Sequence, residues 1–539
     1  MTAARRAATA TAAAVAALVA ACSPAPDPEP VAPLGERVRV EQGELLGRTD
    51  GDVLRWRGVP YAAPPVDELR WQAPWPAPAW PGVRPADAPG PRCPQPAAVP
   101  GAPHATAASR TEDCLTLDVT VPAGTPASAG LPVLVWVHGG GFNAGAAADV
   151  DPRRLAAAGP LVVVTVNYRL GVLGFLGLAE LPDSGAFGLL DQQQALRWVQ
   201  RNVAAFGGDP ANVTLAGASA GADSVCSQMA APAADGLFRR VVLQSGGCGA
   251  ANLTEVIRPG TGPGGDTWKP LPLVERAGAE AAAALGCPEP AAQALACLRN
   301  QPVEALLTAT GTYWSPAVGT PTLPRRPSEL VAARELRPTP VLAGVTRDEG
   351  TLFTHLFFDR AEGPLTADRF DDLLADAAGQ RAPDVRHAYP LEGRSPGRAW
   401  SDVITDRAYA CPALATWRGV GGRAPLFAYE FADRTAPSAF TALPPDLTDG
   451  ATHGAEMPYL FALVPGQPEL DPAQQDLADV VVRAWARFAT TGDPNGDGAP
   501  QWPRWTGDGA VLALTGTADQ VPMTGTDFAA THHCDLWPS

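Results

Sequence analysis

Val213-Thr-Leu-Ala-Gly-Ala-Ser219-Ala-Gly221 runs from an apolar, strand-like stretch through Gly-x-Ser-x-Gly into a segment with helical character. In that setting the glycines allow a tight strand-to-helix turn that lifts a serine Oγ clear of a sheet, the geometry of a nucleophile elbow. In a chain with 55 glycines the pentapeptide alone carries little weight, and the strand before it supplies the rest.

Upstream, directly after the apolar run Leu131 to Val137, stands His138-Gly-Gly-Gly-Phe142. Glycines there leave backbone N–H groups free to face the negative charge that develops when a serine attacks a carbonyl. The plainer alternative is a glycine-rich turn. A phosphate loop is excluded, because Phe142-Asn143 stands where Gly-Lys-Ser or Gly-Lys-Thr is needed.

Downstream, the acid and the histidine of such a site should follow the serine in that order. Of the seven histidines, His104 and His138 precede Ser219, while His532 and His533 flank Cys534 in the tail, where adjacent histidines are expected to be solvated. His355 and His387 lack an evident turn setting. His453, in Asp449-Gly-Ala-Thr-His453-Gly-Ala-Glu-Met-Pro458, sits in a loop-like segment and becomes the candidate base. The acid is sought in Val341-Leu-Ala-Gly-Val-Thr-Arg-Asp348-Glu349-Gly350, which sets two carboxylates at a strand end, where open α/β sheets present their sites. Either could be the partner of His453.

Further short apolar runs at Leu161 to Val166, Asn212 to Ala216, Arg240 to Leu243, Pro340 to Val345 and Pro425 to Phe431 read as strands covered on both faces, as in a parallel sheet. Leu477, Val480, Val481, Ala484, Trp485 and Phe488 fall at offsets 0, 3, 4, 7, 8 and 11, one apolar stripe of a helix. Strands alternating with helices predict an α/β architecture with a large, mostly parallel central sheet and long insertions. Pro74 to Pro103 reads as a loop excursion.

The chain has 539 residues, 46% hydrophobic and 18% charged, and a formal net charge of −16, which excludes a protein that tracks nucleic-acid phosphates. At the N-terminus, Arg5 and Arg6 precede an apolar stretch from Ala7 to Ala21, too short to span a bilayer comfortably. Its end, Leu18-Val-Ala-Ala-Cys22, resembles a bacterial lipobox, so residues 1–21 are expected to be a lipoprotein signal and Cys22 the lipidated new terminus. A plain secretory signal is the alternative, and the arginine pair leaves both general and twin-arginine export open. Five prolines in the eleven residues from Ser23 to Pro33 make residues 22–35 an extended stalk between anchor and body. Residues 36–539 form the globular domain, at the cell surface or secreted. Without Cys22 the nine cysteines become eight, an even number suited to disulfides in an oxidising compartment.

Taken in order, Arg57-Gly-Val-Pro-Tyr-Ala62, Glu112-Asp-Cys-Leu115, Val135 to Phe142, Asn167-Tyr-Arg-Leu-Gly171, Gly188 to Asn202, Phe206-Gly-Gly-Asp-Pro210, Leu243-Gln-Ser-Gly246, Thr346 to Gly350, His453 to Tyr459 and Gly492-Asp-Pro-Asn495 resemble the type B carboxylesterases, which include cholinesterases and bacterial para-nitrobenzyl esterases. The resemblance runs from about Val38 to the C-terminus. It implies an α/β-hydrolase fold and a serine esterase with Ser219 as nucleophile, Glu349 as the acid orienting His453, and N–H groups of Gly140, Gly141 and Ala220 as the oxyanion hole. It also implies disulfides Cys93 with Cys114, Cys287 with Cys297 and, less directly, Cys411 with Cys534; Cys226 and Cys248 either pair or stay free thiols. It implies no cofactor and no metal, and its partner is a small-molecule ester. A lipase or polyester hydrolase of the same mechanism, or a surface recognition protein without catalysis, are the alternatives. The elbow departs from the family, which usually reads Gly-Glu-Ser-Ala-Gly-Gly where this chain has Gly217-Ala218-Ser219-Ala220-Gly221-Ala222, and the missing carboxylate puts a preference for cationic substrates in doubt.

Two other motifs are discounted as metal sites. Asp493-Pro-Asn-Gly-Asp-Gly498 lacks the glutamate that a calcium loop needs at its twelfth position, which is Arg504, and His532-His533-Cys534 contains a cysteine with a disulfide partner already implied.

Overall fold

The computed structural model describes residues 32–97, 108–249, 256–257, 267–287, 289–308, 313–360, 363–437, 447, 450–462, 469–497, 500–516, 520 and 522–537. The expected leader, Cys22 and most of the stalk lie outside the described residues. Pro33 and Leu34, at the end of the stalk, already lie against the body: Pro33 bridges Pro126, and the Leu34 N–H donates to Thr125 O at 2.7 Å.

Eleven strands form the main sheet: β1 Arg48–Asp50, β2 Val53–Pro60, β3 Thr116–Pro122, β4 Leu131–Val137, β5 Val162–Val166, β6 Gly208–Ala218, β7 Arg240–Gln244, β8 Val341–Thr346, β9 Leu426–Phe431, β10 Ala510–Leu514 and β11 Pro522–Thr524. Their order across the sheet is β11-β10-β9-β8-β7-β6-β4-β5-β3-β2-β1. From β10 through β5 every neighbouring pair is parallel, while β11 at one edge and β3, β2 and β1 at the other pair antiparallel. All six runs read as strands from the sequence are strands of this sheet, with ends displaced by a few residues at most. A three-stranded sheet, Arg37–Val40, Gly43–Leu46 and Val83–Pro85, packs beside it and takes one strand from the proline-rich excursion.

The apolar runs are continuous because the sheet has a core on each face. Along β4, Val133, Val135 and Val137 enter one buried cluster and Leu134 and Trp136 the other; Val241 and Leu243 of β7 are likewise separated from Val242. Each such side chain contributes about 1.5 to 3 kcal/mol by leaving water, so a one-residue slip of register would move both sets at once.

The helices around the sheet include α1 Phe187–Asn202, α2 Ala220–Ala230, α3 Pro396–Ile404 and α4 Pro472–Thr491. Helix α4 carries the stripe read from the sequence, and Leu477, Val481, Ala484, Trp485 and Phe488 are buried; Val480 is only half-buried, because the buried face is turned toward Ala478 and Val482, on the opposite flank of the stripe. Its start is set by a capping box, in which Asp471 accepts the Gln474 N–H at 2.9 Å and Gln474 accepts the Asp471 N–H at 2.9 Å. It stops at Gly492, whose φ of 84° is left-handed.

Four disulfides pair Cys93 with Cys114, Cys226 with Cys248, Cys287 with Cys297, and Cys411 with Cys534. The second, left open by the sequence, ties α2 to the segment after β7. Among the described residues no helix is long and apolar enough to cross a membrane, and no cluster of three or more His, Cys, Asp or Glu side chains is arranged to hold a metal ion.

Candidate active site

The chain leaves β6 at Ala218, turns at Ser219 and enters α2 at Ala220. Ser219 holds φ 57° and ψ −129°, a strained conformation for a residue with a side chain. The turn is tight enough to demand glycine on either side: a Cβ on Gly217 would lie 2.5 Å from the Gly221 carbonyl carbon, and one on Gly221 would lie 2.1 Å from Val137 O. The Ser219 N–H donates to Gln244 O of β7 at 2.8 Å, and its own carbonyl accepts the Asp223 N–H at 3.1 Å. The serine is therefore held by backbone on both sides.

The glycine run after β4 lies against this turn, because a Cβ on Gly139 would stand 3.0 Å from the Ser219 Cβ. Gly140 and Gly141 have φ 103° and 60°, so the loop needs residues that tolerate the left-handed region. Among the described residues neither uses its N–H on a protein acceptor. Ala220 is the first residue of α2, where an N–H has no acceptor within the helix. The loop is braced from behind: Tyr168 Oη donates to His138 O at 3.0 Å, and the two rings stack at 4.5 Å.

Asp348 and Glu349 follow β8 and diverge. Glu349 is fully buried; its Oε1 accepts the Thr346 N–H at 2.8 Å, and its Oε2 lies 2.5 Å from His453 Nδ1. Asp348 faces away, bonded to Arg398 and Arg434 and to the Ala451 N–H at 3.0 Å, while its own N–H donates to Ala451 O. These two bonds to the Ala451 backbone, one accepted by the Asp348 side chain and one donated by its N–H, join the carboxylate loop to the segment carrying His453. Burial pushes the Asp348 carboxyl up, but Arg434 and Arg398 overcome it and hold it below the usual range. His453 Nε2 has no hydrogen bond among the described residues, so Ser219 and His453 are not bonded to each other here; in unliganded sites such contacts commonly tighten only with substrate.

The carboxylesterase family profile matches residues 35–537. The chain belongs to the carboxylesterase family. The esterase is 34% identical over 490 residues to a para-nitrobenzyl esterase of Bacillus subtilis (strain 168), covering 87% of this chain and 92% of that one. It is 34% identical over 522 residues to a phenmedipham hydrolase of Pseudarthrobacter oxydans, covering 92% and 97%. Carboxylesterase 3 of Homo sapiens is also 34% identical, over 534 residues, 93% of this chain and 89% of that one. A solved thermophilic PNB esterase superposes with a TM-score of 0.76 at 31% identity, covering 92% of this chain and 99% of that one. The fold is the α/β-hydrolase fold, and the protein is a serine hydrolase of carboxylic esters.

Around His453 the esterase holds groups that sequence reasoning did not single out. The rings of Phe353 and Tyr409 stand 5.0 and 5.2 Å from the imidazole. Asp223, in the first turn of α2, is buried and accepts the Gly247 N–H at 3.0 Å; burial pushes its carboxyl up to about 7. Glu456 is also buried, receives Gln244 Nε2 at 3.3 Å, and has an Oε2 with no partner among the described residues. Burial and the neighbouring Glu349 raise it to about 7. Burial alone would lower the His453 pKa, but Glu349 by charge and hydrogen bond, then Glu456 and Asp223, raise it above the ordinary histidine value. The only available signal for Glu456 was its place three residues after His453. Asp223 gave none beyond its position near the elbow, yet it restores an acid near the nucleophile in a chain with Ala218 beside Ser219.

His532, expected to be solvated, is instead 3% exposed and clasped by two carboxylates, Asp406 Oδ1 at 2.6 Å from Nδ1 and Glu430 Oε1 at 2.8 Å from Nε2. Its partners lie more than a hundred residues upstream, so the local sequence had no means of announcing them.

Proposed function

We propose that Ser219 is the nucleophile of this esterase, His453 its general base and Glu349 the acid that orients the imidazole, with the N–H groups of Gly140, Gly141 and Ala220 receiving the oxyanion. The observation that carries this reading is the Glu349 Oε2 to His453 Nδ1 bond at 2.5 Å, which fixes the tautomer and leaves Nε2 for the serine proton. The alkoxide attacks the ester carbonyl; His453 returns the proton to the leaving alcohol, and water then releases the acid from the acyl-enzyme through the same residues. An organophosphate should label Ser219 stoichiometrically. A stoichiometric adduct on Ser245 instead would transfer the role of nucleophile.

We also propose that residues 1–21 are a lipoprotein signal and that Cys22 anchors residues 22–35 to a membrane, which the lipobox-like sequence and the proline spacing support. Cys22→Ala should move the protein from the membrane fraction to the soluble one, and an unchanged distribution would refute the anchor.

A further inference from the structure

Away from the ester site, a cavity of about 570 Å³ opens where the segments after β8 and β9 meet α3 and the C-terminal tail. Arg347, Arg394, Arg398, Arg434 and His532 line it, on a chain whose net charge is −16. Among the described residues, the four acids paired with these cations are each engaged on both oxygens. Asp348 holds Arg398, Arg434 and the Ala451 N–H; Glu430 holds Arg347 and His532. Asp402 holds Arg394 and Arg398, and Asp406 holds His532 and, at 2.6 Å, Tyr389 Oη. Among the described residues, these four carboxylates offer an entering cation no unengaged oxygen.

The donors are in surplus. Arg347 and Arg434 each turn Nε and Nη2 to a carboxylate, and Arg394 and Arg398 use Nη2 alone. Among the described residues the Nη1 amino groups of all four arginines have no acceptor. His532 adds a fifth cation: burial would lower its pKa, but Asp406 and Glu430 hold it up at about 10. A guanidinium with one edge paired and the other free is suited to receive an oxyanion.

We propose that this cavity is a binding site for a small multivalent oxyanion, carrying carboxylates or a phosphate, separate from the ester site. It shares no residue with the proposed triad, although Arg347 and Asp348 immediately precede Glu349 and lining residue Thr405 accepts the Gly350 N–H at 2.9 Å.

Calorimetric titration of the purified protein with inorganic phosphate, citrate and acetate, at fixed pH and ionic strength, tests the site. Saturable one-site binding is expected for phosphate or citrate, with acetate weaker; citrate binding without phosphate binding identifies a carboxylate ligand, and the reverse a phosphate. The double variant Arg394→Gln/Arg434→Gln leaves Arg398 facing both Asp348 and Asp402, and should weaken binding at least tenfold. In the unaltered protein the bound anion should protect Arg394 and Arg434, but not exposed Arg39 and Arg483, from phenylglyoxal, read by peptide mapping. Absence of saturable binding for all three anions overturns the site. Binding that the folded double variant retains, or that leaves Arg394 and Arg434 unprotected, overturns it equally.

Discussion

His453 and His532 are both buried and both bonded to carboxylates, yet they are chemically opposite. His453 has one ring nitrogen on Glu349 and the other without a protein partner, so it can exist neutral and take a proton. His532 has Asp406 on one nitrogen and Glu430 on the other, which requires both nitrogens to donate and fixes it as an imidazolium. The carboxylate partner alone does not make a histidine a base; the unoccupied second nitrogen does. In one region the pair leaves a ring nitrogen open to a proton, and in the other it holds the end of β9 to the C-terminal tail.

The sharpest way to break this contrast is to remove the groups it assigns to chemistry. Ser219→Ala should lower kcat for a chromogenic ester by a factor on the order of 10⁶, as loss of a serine nucleophile does elsewhere. A residual rate above a hundredth of the parent, in protein free of contaminating esterase, would mean that another residue attacks. Next in size, Glu349→Gln should cost about 10⁴ in kcat by spoiling the tautomer of His453. Asp348→Asn should stay within about tenfold in kcat, its loss appearing in stability because Arg398 and Arg434 lose their charged partner. The reverse ranking would make Asp348 the acid.

That pair of neighbours also marks where the sequence stops being readable. The elbow was legible because its demands are local: Gly217 and Gly221 answer to atoms of the same turn or the adjacent strand. The strands of the parallel sheet were legible because burial on both faces writes unbroken apolar runs. The choice between Asp348 and Glu349 was not a local matter. It depends on arginines 50 and 86 residues downstream that draw Asp348 outward, and only the family resemblance favoured Glu349. His532 was misjudged for the same reason, its acids being 126 and 102 residues away in sequence. Asp223 and Glu456 become buried acids only when helix and loop close over them.

Removing the structural histidine gives the third test. His532→Gln takes the cation from between two buried carboxylates and should cost about 3 to 5 kcal/mol of stability, while kcat of the folded fraction stays within about tenfold. The sign with pH is set by the raised pKa. His532 titrates near 10 when folded and near the ordinary value of about 6.5 when unfolded, so its stabilisation is complete below about 6.5 and is lost as pH rises through about 10. Denaturant midpoints of the parent should therefore fall from pH 7 to 10, and the variant should show a shallower fall. Identical slopes would show that His532 is not held as a cation.

The smallest effect sharpens the other side of the comparison. In the proposed mechanism His453 must be neutral to accept the serine proton, so kcat/KM should fall as pH drops through its pKa in the free enzyme. Glu349, Glu456 and Asp223 all favour its charged form and outweigh burial, which puts the acid limb above about 6.5, the ordinary histidine value. Glu456 itself titrates near 7, so the limb belongs to a coupled group and its midpoint is shared. Glu456→Gln removes one of the three acids without touching the Glu349 to His453 bond. The limb should then move to lower pH by a fraction of a unit, with kcat on the plateau changed less than tenfold. A limb that stays in place would show that Glu456 is protonated throughout the range and leaves Glu349 as the main anion acting on the base; a limb that moves up would reverse the sign assigned to Glu456.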